Sequence, residues 1–171
     1  MAALALSLVD RPRSSLQDLA KAVGVGKTTL HRFCRTRGEL IDKLMEHAAQ
    51  VLGEVVSNAQ LDTLPPLEAL SRLNSYTLEH KELNAFLLFH WRESENTASI
   101  DESYEAAIDA FFQRGQREGV FRIDVSAPAL TEIWFSSLTG LIYAERRGRI
   151  ARMGLASILE SVLFEGIRPA Q

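Results

Sequence analysis

The chain has few of the residues on which disulfide-bonded, metal-binding and membrane-spanning proteins depend. Its one cysteine, Cys34, excludes an internal disulfide and has no evident His-Asp partner set, and its four histidines are scattered rather than set at a metal-ligand spacing. No apolar run approaches the roughly 20 residues that cross a bilayer. The apolar start, residues 1–9, lacks the basic residues and cleavage pattern of a secretory leader. We therefore expect a cytoplasmic protein with no membrane partner, metal or cofactor, and not an enzyme.

Helical periodicity is abundant. Apolar residues, 46% of the chain, recur at three- and four-residue spacing, and no segment alternates as a strand would. Gly24, Gly119, Gly148 and the pair Pro65-Pro66 mark breaks between the periodic segments. The pattern predicts an all-α chain of about nine helices, at residues 2–9, 16–22, 26–33, 36–57, 67–80, 82–92, 100–119, 127–147 and 150–166.

The segment that begins at Ser15 contains the densest set of local signals. Ser15 can cap a helix, and Asp18 follows three residues later, as an acid does in a capping box. Gly24 can adopt the positive φ that a sharp helix end requires. In the next helix, Leu30 and Phe33 are expected to point inward and leave polar side chains outside. A supporting helix, a small-residue turn and a polar second helix indicate a helix-turn-helix.

The charge distribution favours contact with a polyanion at one end of the chain. The whole chain has a formal net charge of −3, yet residues 1–40 contain seven basic and three acidic residues. Residues 41–171 contain twelve basic and nineteen acidic residues. A basic N-terminal segment on an otherwise acidic chain is typical of a protein that binds DNA through one end.

Two other interpretations of the turn differ in how well they fit. The letters from Gly24 to Thr29 look like the end of a nucleotide-binding P-loop, which needs a glycine five residues before Gly26 and a strand ahead of it. Lys21 stands at that position and a helical pattern precedes it, so the P-loop fits poorly. An all-helical core with a glycine-containing turn and no DNA role remains open.

The segment resembles the DNA-binding domain of the TetR family of bacterial regulators. The matching residues are Leu19-Ala20, Gly24-Val25, Lys27, Thr29, Leu30, Thr36-Arg37 and Glu39-Leu40. The resemblance implies a three-helix DNA-binding domain over residues 1–45 and a helical effector-binding and dimerisation domain over residues 46–171. The DNA-contacting residues that it implies are Ser15, Lys27, Thr28, Thr29, His31, Arg32, Arg35, Thr36 and Arg37.

The chain departs from the family pattern at several positions. Gly26 replaces the usual serine cap of the recognition helix, and His31 replaces the usual tyrosine. Phe33-Cys34 stands where the family has His-Phe, and Arg35 where a proline often follows. The first helix is expected to be short, without a basic lead-in, which would remove some backbone contacts and weaken binding more than base readout.

The last two helices are expected to form a dimer interface, as the resemblance implies. Ser136, Gly140 and Ala144 place small residues every four positions beside an apolar face. A two-fold dimer would present two recognition helices to successive DNA turns and so bind a near-palindrome. Closure of the monomer core by the same helices is the alternative. The candidate interface residues are Leu130, Trp134, Ser137, Gly140, Leu141, Ala144, Leu155, Ile158, Leu159 and Val162.

The middle helices are rich in aromatic residues and are the implied site of a small-molecule effector. An apolar cavity with a few polar groups is the usual form of such a pocket, although aromatics at helical spacing are often only core. The candidate lining residues are Tyr76, Phe86, Phe89, His90, Glu93, Tyr104, Phe111 and Trp134. An apolar or aromatic effector would tilt the long helix from Thr36 and change the recognition-helix spacing.

These expectations combine into one function and leave one alternative. The favoured function is a dimeric one-component transcriptional regulator, a repressor, that binds a near-palindromic double-stranded operator and is released by a small effector. The alternative is a helical dimer that binds a small molecule or a protein partner without regulating DNA. Only DNA binding through several phosphates would weaken steeply as salt rises.

Overall fold

The chain is all-α. A computed structural model describes residues 1–90 and 98–168, and over these ranges it contains nine helices and no strand. The helices are α1 (Ala2–Asp10), α2 (Leu16–Ala22), α3 (Lys27–Phe33), α4 (Arg37–Ala59), α5 (Pro66–Glu79), α6 (Lys81–His90), α7 (Ala98–Arg117), α8 (Ala127–Arg146) and α9 (Leu155–Ile167). The predicted all-α class is confirmed, and most predicted bounds lie within one or two residues of the observed ones.

The last helix differs most from its prediction. It begins at Leu155 instead of residue 150. Gly148 and Gly154 both have positive φ, at 70° and 94°, and a residue in that conformation cannot continue a right-handed helix. Apolar spacing alone suggested continuity from Ile150, while the second glycine delays the helix by about a turn.

The described residues fall into two compact units. The first unit comprises described residues within 1–51 and 80–94. In it, α2 packs against α3 and α1, and α1 packs against α6. The short α1 has a buried face at Leu4, Ala5 and Leu8, and α6 contributes buried side chains from its own apolar face. The aromatic-rich α6 therefore belongs to the unit that contains the helix-turn-helix.

The second unit comprises described residues within 52–79 and 95–171. Here α7 packs against α8, and α9 packs against both α5 and α8. Ser126 caps α8 by accepting a hydrogen bond from the Ala129 amide, and Pro128 lies in the first turn. Burial of these amphipathic faces is the main source of helical stability in such a domain.

A close approach at the end of α7 anchors the core of the second unit. The rings of Phe111, Phe112 and Phe121 lie 5.2–5.6 Å apart between centroids, and Phe121 is fully buried. A Cβ at Gly115 would lie 2.1 Å from Cδ2 of Phe121. Glycine is required at this position because the ring occupies the space of any side chain.

Candidate nucleic-acid interface

The supporting helix α2 begins with a complete capping box. The Asp18 amide donates to Ser15 Oγ at 3.2 Å, and the Ser15 amide and hydroxyl both donate to Asp18 Oδ2, at 3.2 and 2.7 Å. These hydrogen bonds lower the pKa of Asp18 below its ordinary value. The predicted cap is confirmed. Because the Ser15 hydroxyl donates its proton within the capping box, this exposed side chain can take part in a further hydrogen bond only as an acceptor.

The turn after α2 has the predicted geometry. Gly24 has a φ of 70°, and the amide of Val25 donates back to the Ala20 carbonyl at 2.9 Å. Leu19 and Ala20 of α2 and Leu30 of α3 are buried. These three apolar contacts fix the roll of α3 about its own axis and determine which of its side chains face outward.

The outward face of α3 is polar and accessible. Among the nine candidate DNA-contacting residues, five lie on this helix, and all five are exposed: Lys27, Thr28, Thr29, His31 and Arg32. The cap residue Gly26 makes no side-chain hydrogen bond to the helix start. Arg35 and Thr36, just beyond α3, are exposed as well. The sequence analysis therefore predicted correctly that these polar side chains are exposed.

The junction between α3 and α4 is held by a network that the sequence analysis did not identify. The amide of Arg35 donates to Glu39 Oε2 at 2.7 Å, and the amide of Glu39 donates to Thr36 Oγ1 at 3.1 Å. Lys43 Nζ lies 3.0 Å from Glu39 Oε1 and donates to the Phe33 carbonyl. It also lies over the Phe33 ring, 5.0 Å from the centroid. The local signals were the Thr-x-x-Glu spacing of a capping box and the Glu-to-Lys spacing of four residues.

The same network perturbs the acidity of its carboxylate. Hydrogen bonding by the Arg35 amide, and then by Lys43, lowers the pKa of Glu39 below its ordinary value. The ionised form is thus the one that links the end of α3 to the start of α4. Burial raises the pKa of the Cys34 thiol, and Cys34 is buried with its Sγ 3.6 Å from the Leu30 carbonyl.

Two side chains near the recognition helix have surroundings that differ from expectation. Phe33 was expected to point inward, which is wrong: it is 36% exposed, because it lies in the last turn of a seven-residue helix and Lys43 covers one face of its ring. Arg37, a candidate contact to the DNA backbone, is half-buried. Its Nη2 donates to the carbonyl of Pro12 at 2.6 Å. Its guanidinium ties α4 to the loop before α2.

The candidate effector residues are divided between the two units. In the first unit, Phe86 and His90 are buried with ring centroids 4.6 Å apart, while Phe89 is 39% exposed. In the second unit, Tyr104, Phe111 and Trp134 are buried and Tyr76 is half-buried. The eighth candidate, Glu93, lies outside the described residues.

The second unit contains a buried polar residue that the sequence analysis missed. Asn74 of α5 is fully buried, and its Oδ1 accepts a hydrogen bond of 2.8 Å from Trp134 Nε1. One helical turn later, Thr77 is buried and hydrogen-bonded to Tyr104, whose pKa is raised strongly by burial. An asparagine and a threonine on the apolar face of a helix are the signal that could have revealed this cluster.

The candidate interface residues differ in how much surface they present. Leu130, Trp134, Leu155 and Leu159 are buried within the protomer and have almost no surface left for a partner. The remaining candidates are exposed or half-buried: Ser137, Gly140, Leu141, Ala144, Ile158 and Val162. Val162 is 64% exposed, and a Cβ added at Gly140 would meet nothing within 4 Å.

Among the described residues, no three His, Cys, Asp or Glu side chains are grouped so that they could hold a metal ion. None of the helices in the described part of the chain combines the length and apolar content that a membrane crossing requires.

Comparison with known proteins identifies regulators as relatives. The chain is 45% identical over 168 residues to the HTH-type transcriptional regulator NfxB of Pseudomonas aeruginosa, an alignment that covers 96% of this chain and 90% of NfxB. It is 32% identical over 107 residues to the HTH-type transcriptional repressor LfrR of Mycolicibacterium smegmatis, covering 61% of this chain and 57% of LfrR. No protein-family model matches the chain.

Solved structures share its fold. The TetR-family regulator PfmR from Thermus thermophilus superposes with a TM-score of 0.73 at 22% identity, over 96% of both chains. The TetR-like regulator LfrR, solved in complex with proflavine, superposes with a TM-score of 0.67 at 23% identity, over 97% of this chain and 94% of LfrR. With the helix-turn-helix geometry and the extent of the NfxB alignment, these findings assign the family. The chain belongs to the TetR family of helix-turn-helix transcriptional regulators.

Proposed function

We propose that this protein is a dimeric one-component repressor that binds a near-palindromic DNA operator through α3 and is released by a small apolar or aromatic effector. The observation that carries the proposal is the outward face of α3, where five adjacent polar or basic side chains are exposed. Leu19, Ala20 and Leu30 orient that face. Residues 1–45 would bind DNA, and residues 46–171 would bind the effector and the second protomer.

Contacts of two kinds are expected at the operator. Lys27 and Arg32 would reach base edges and phosphates, while the two threonines between them and His31 supply shorter hydrogen-bonding groups. Thr36 and Ser15 cap helices, so we expect them to support DNA binding by holding those helices in place. A protein that acts in this way needs no catalytic group and works in the cytoplasm.

Dimerisation through α8 and α9 is supported by the exposed surface of those helices. Ile158 and Val162 are large apolar residues that lie exposed one turn apart on α9. Gly140 of α8 has open space around it, so no packing within the described protomer requires a glycine there. A glycine inside a helix costs about 0.5–1 kcal/mol relative to alanine, and close approach of a second helix would explain its presence.

An aromatic effector is supported by composition and by a relative. The second unit encloses buried aromatic side chains, as small-molecule sites commonly do. LfrR, a relative with the same fold, was solved with proflavine, a planar aromatic compound. The effector would act by binding two conformations of the regulator with different affinity.

The experiment that tests DNA recognition is selection of the full chain against a random duplex library at moderate salt, followed by sequencing of the enriched pool. We expect a near-palindrome. Affinity for it should fall steeply with rising salt, because each phosphate contact releases counterions. No enrichment by protein shown to be folded and dimeric would contradict the proposal.

A double substitution, Lys27→Ala with Arg32→Ala, assigns the contacts to α3. Each lost contact should weaken binding by roughly 1–3 kcal/mol, so about a hundredfold or greater loss is expected for the pair. Arg149→Ala with Arg152→Ala is the matched control, since it removes two exposed arginines from the loop after α8. Equal losses in both double variants would mean that net charge, and not the α3 surface, governs binding.

A further inference from the structure

Only one of the two polar groups in the side-chain amide of Asn74 has a hydrogen-bond partner among the described residues. Its Oδ1 accepts the Trp134 Nε1 hydrogen bond at 2.8 Å, whereas its Nδ2 is buried and has no hydrogen-bond partner among the described residues. The residue itself has no accessible surface. A buried donor without a partner destabilises the folded protein, so we expect a hydrogen-bond partner at this amide.

The orientation of the amide follows from the chemistry of its partner. The indole N–H of Trp134 is a donor only, so it requires an acceptor opposite it. Turning the Asn74 amide over would place its NH₂ group against the indole N–H and lose the hydrogen bond. Trp134 is therefore a positioning residue, because its indole N–H fixes which end of the Asn74 amide accepts and which end carries the donors.

The neighbouring polar groups already satisfy one another. Thr77 lies three residues after Asn74 and so on the same face of α5. Its hydroxyl donates to the Leu73 carbonyl at 2.6 Å, and the same oxygen is hydrogen-bonded to Tyr104. Since the Thr77 proton is used, the phenol O–H donates to Thr77. Within this cluster, the donors of Asn74 alone are left over.

The unpaired donors of Asn74 define which chemical group a ligand must supply. Two unmatched N–H groups call for an acceptor. Among the described residues of the second unit, the buried polar side chains are Asn74, Thr77 and Thr131, with no buried cation to neutralise an anion. A charged carboxylate or phosphate would be buried without a counterion, which is costly.

We propose that Asn74 Nδ2 binds a neutral hydrogen-bond acceptor of the effector, such as a carbonyl, ether or unprotonated ring nitrogen. The inference rests on the proposed effector-binding role of the second unit and deepens it. Trp134 orients the amide, and the buried aromatic residues around the cluster would enclose the rest of an apolar ligand.

A matched pair of probes tests the proposal. Fluorene and 9-fluorenone share a planar aromatic frame and differ chiefly by one carbonyl acceptor. Binding is measured with the full chain carrying Trp91→Phe, so that the fluorescence comes from Trp134, whose indole touches Asn74. We expect fluorenone to bind about tenfold more tightly, which corresponds to about 1.4 kcal/mol, and to shift the Trp134 emission.

Substitutions of Asn74 test whether the preference for 9-fluorenone over fluorene depends on its side-chain amide. Asn74→Leu should abolish the preference, and Asn74→Ala, which also removes both donors but adds no bulk, should do so too. Thr131→Val removes another buried polar group of the same unit and should preserve it. Equal binding of the two probes by the Trp91→Phe protein, or a preference that survives both Asn74 variants, would overturn the proposal.

The outcomes separate this inference from the function on which it rests. Equal binding of both probes with release of operator DNA would leave the effector role intact and remove only the role of Asn74. Failure of both probes to bind would overturn the inference together with the aromatic-effector part of the proposed function. Operator selection by the same protein would stand in either case.

Discussion

The two units differ in the exposure of their polar groups of interest, which lie on the surface in the first unit and are buried in the second. In the first unit the polar groups of interest are exposed on α3, and several of the polar contacts that support the helix-turn-helix join residues three or four positions apart, as in Ser15 with Asp18 and Glu39 with Lys43. In the second unit the polar groups are buried, and their partners are distant in sequence. Asn74 and Trp134 are 60 residues apart.

This difference indicates how each unit responds to substitution. Exposed side chains on a helix such as α3 can change with little effect on folding, because they contribute little to the core. Buried polar and aromatic groups cannot change without disturbing their neighbours. Substitutions on the exposed surface of α3 should therefore be tolerated more readily than substitutions in the packed interior of the second unit.

The largest effect is expected from Gly115→Ala in the second unit. The new Cβ would lie 2.1 Å from the ring of fully buried Phe121, and overpacking of this kind costs about 1–3 kcal/mol in the free energy of unfolding. Urea unfolding measures the change. Gly53→Ala, at an exposed helical glycine with open space, should be neutral or stabilising by up to about 1 kcal/mol. Equal stability of the two variants would show that Phe121 can move aside.

An effect on assembly is expected from Gly140→Leu. The substitution meets no atom within 4 Å of its Cβ in the described protomer, so the monomer fold should be retained, while a partner helix packed there would be displaced. We expect the dimer dissociation constant to rise about tenfold to a hundredfold, measured by sedimentation equilibrium. Gly53→Leu is the control on α4. A dimer that Gly140→Leu leaves unchanged would locate the interface elsewhere.

The smallest effect is expected at the junction that supports α3. Lys43→Met and Glu39→Gln each break an exposed ion pair, which contributes roughly 0.2–1 kcal/mol, so operator affinity should fall up to about fivefold. The two substitutions change net charge in opposite directions. If long-range charge alone mattered, one would weaken DNA binding and the other would strengthen it, as titration of labelled operator would reveal.

The pH dependence of this junction follows from Glu39. Its pKa is lowered in the folded protein, so the stabilisation is complete above the ordinary value of 4.5 and is lost as the pH falls through the lowered value. Unfolding curves measured from pH 7 downward should show a smaller loss of stability in Glu39→Gln than in the parent chain. Identical losses in the two proteins would exclude a contribution from this carboxylate.

The sequence analysis succeeded where signals are local. The capping box at Ser15, the turn at Gly24 and the polar face of α3 depend on residues within a few positions of one another, and all three have the predicted form or exposure. It failed for Phe33, because a seven-residue helix has too few turns to define its buried face from spacing alone. It also treated the aromatic residues of α6, α7 and α8 as one set, although they belong to two compact units.

By itself, the sequence determined the helical class, the helix-turn-helix and the exposed basic surface, because periodicity, caps and glycine conformations act over one or two helical turns. The tertiary structure alone decided which aromatic residues share a core, which apolar residues of α8 and α9 remain exposed, and which buried donor lacks a partner. Those properties depend on packing between segments that are far apart in the chain. The pairing of Asn74 with Trp134 therefore appears only once the helices are assembled.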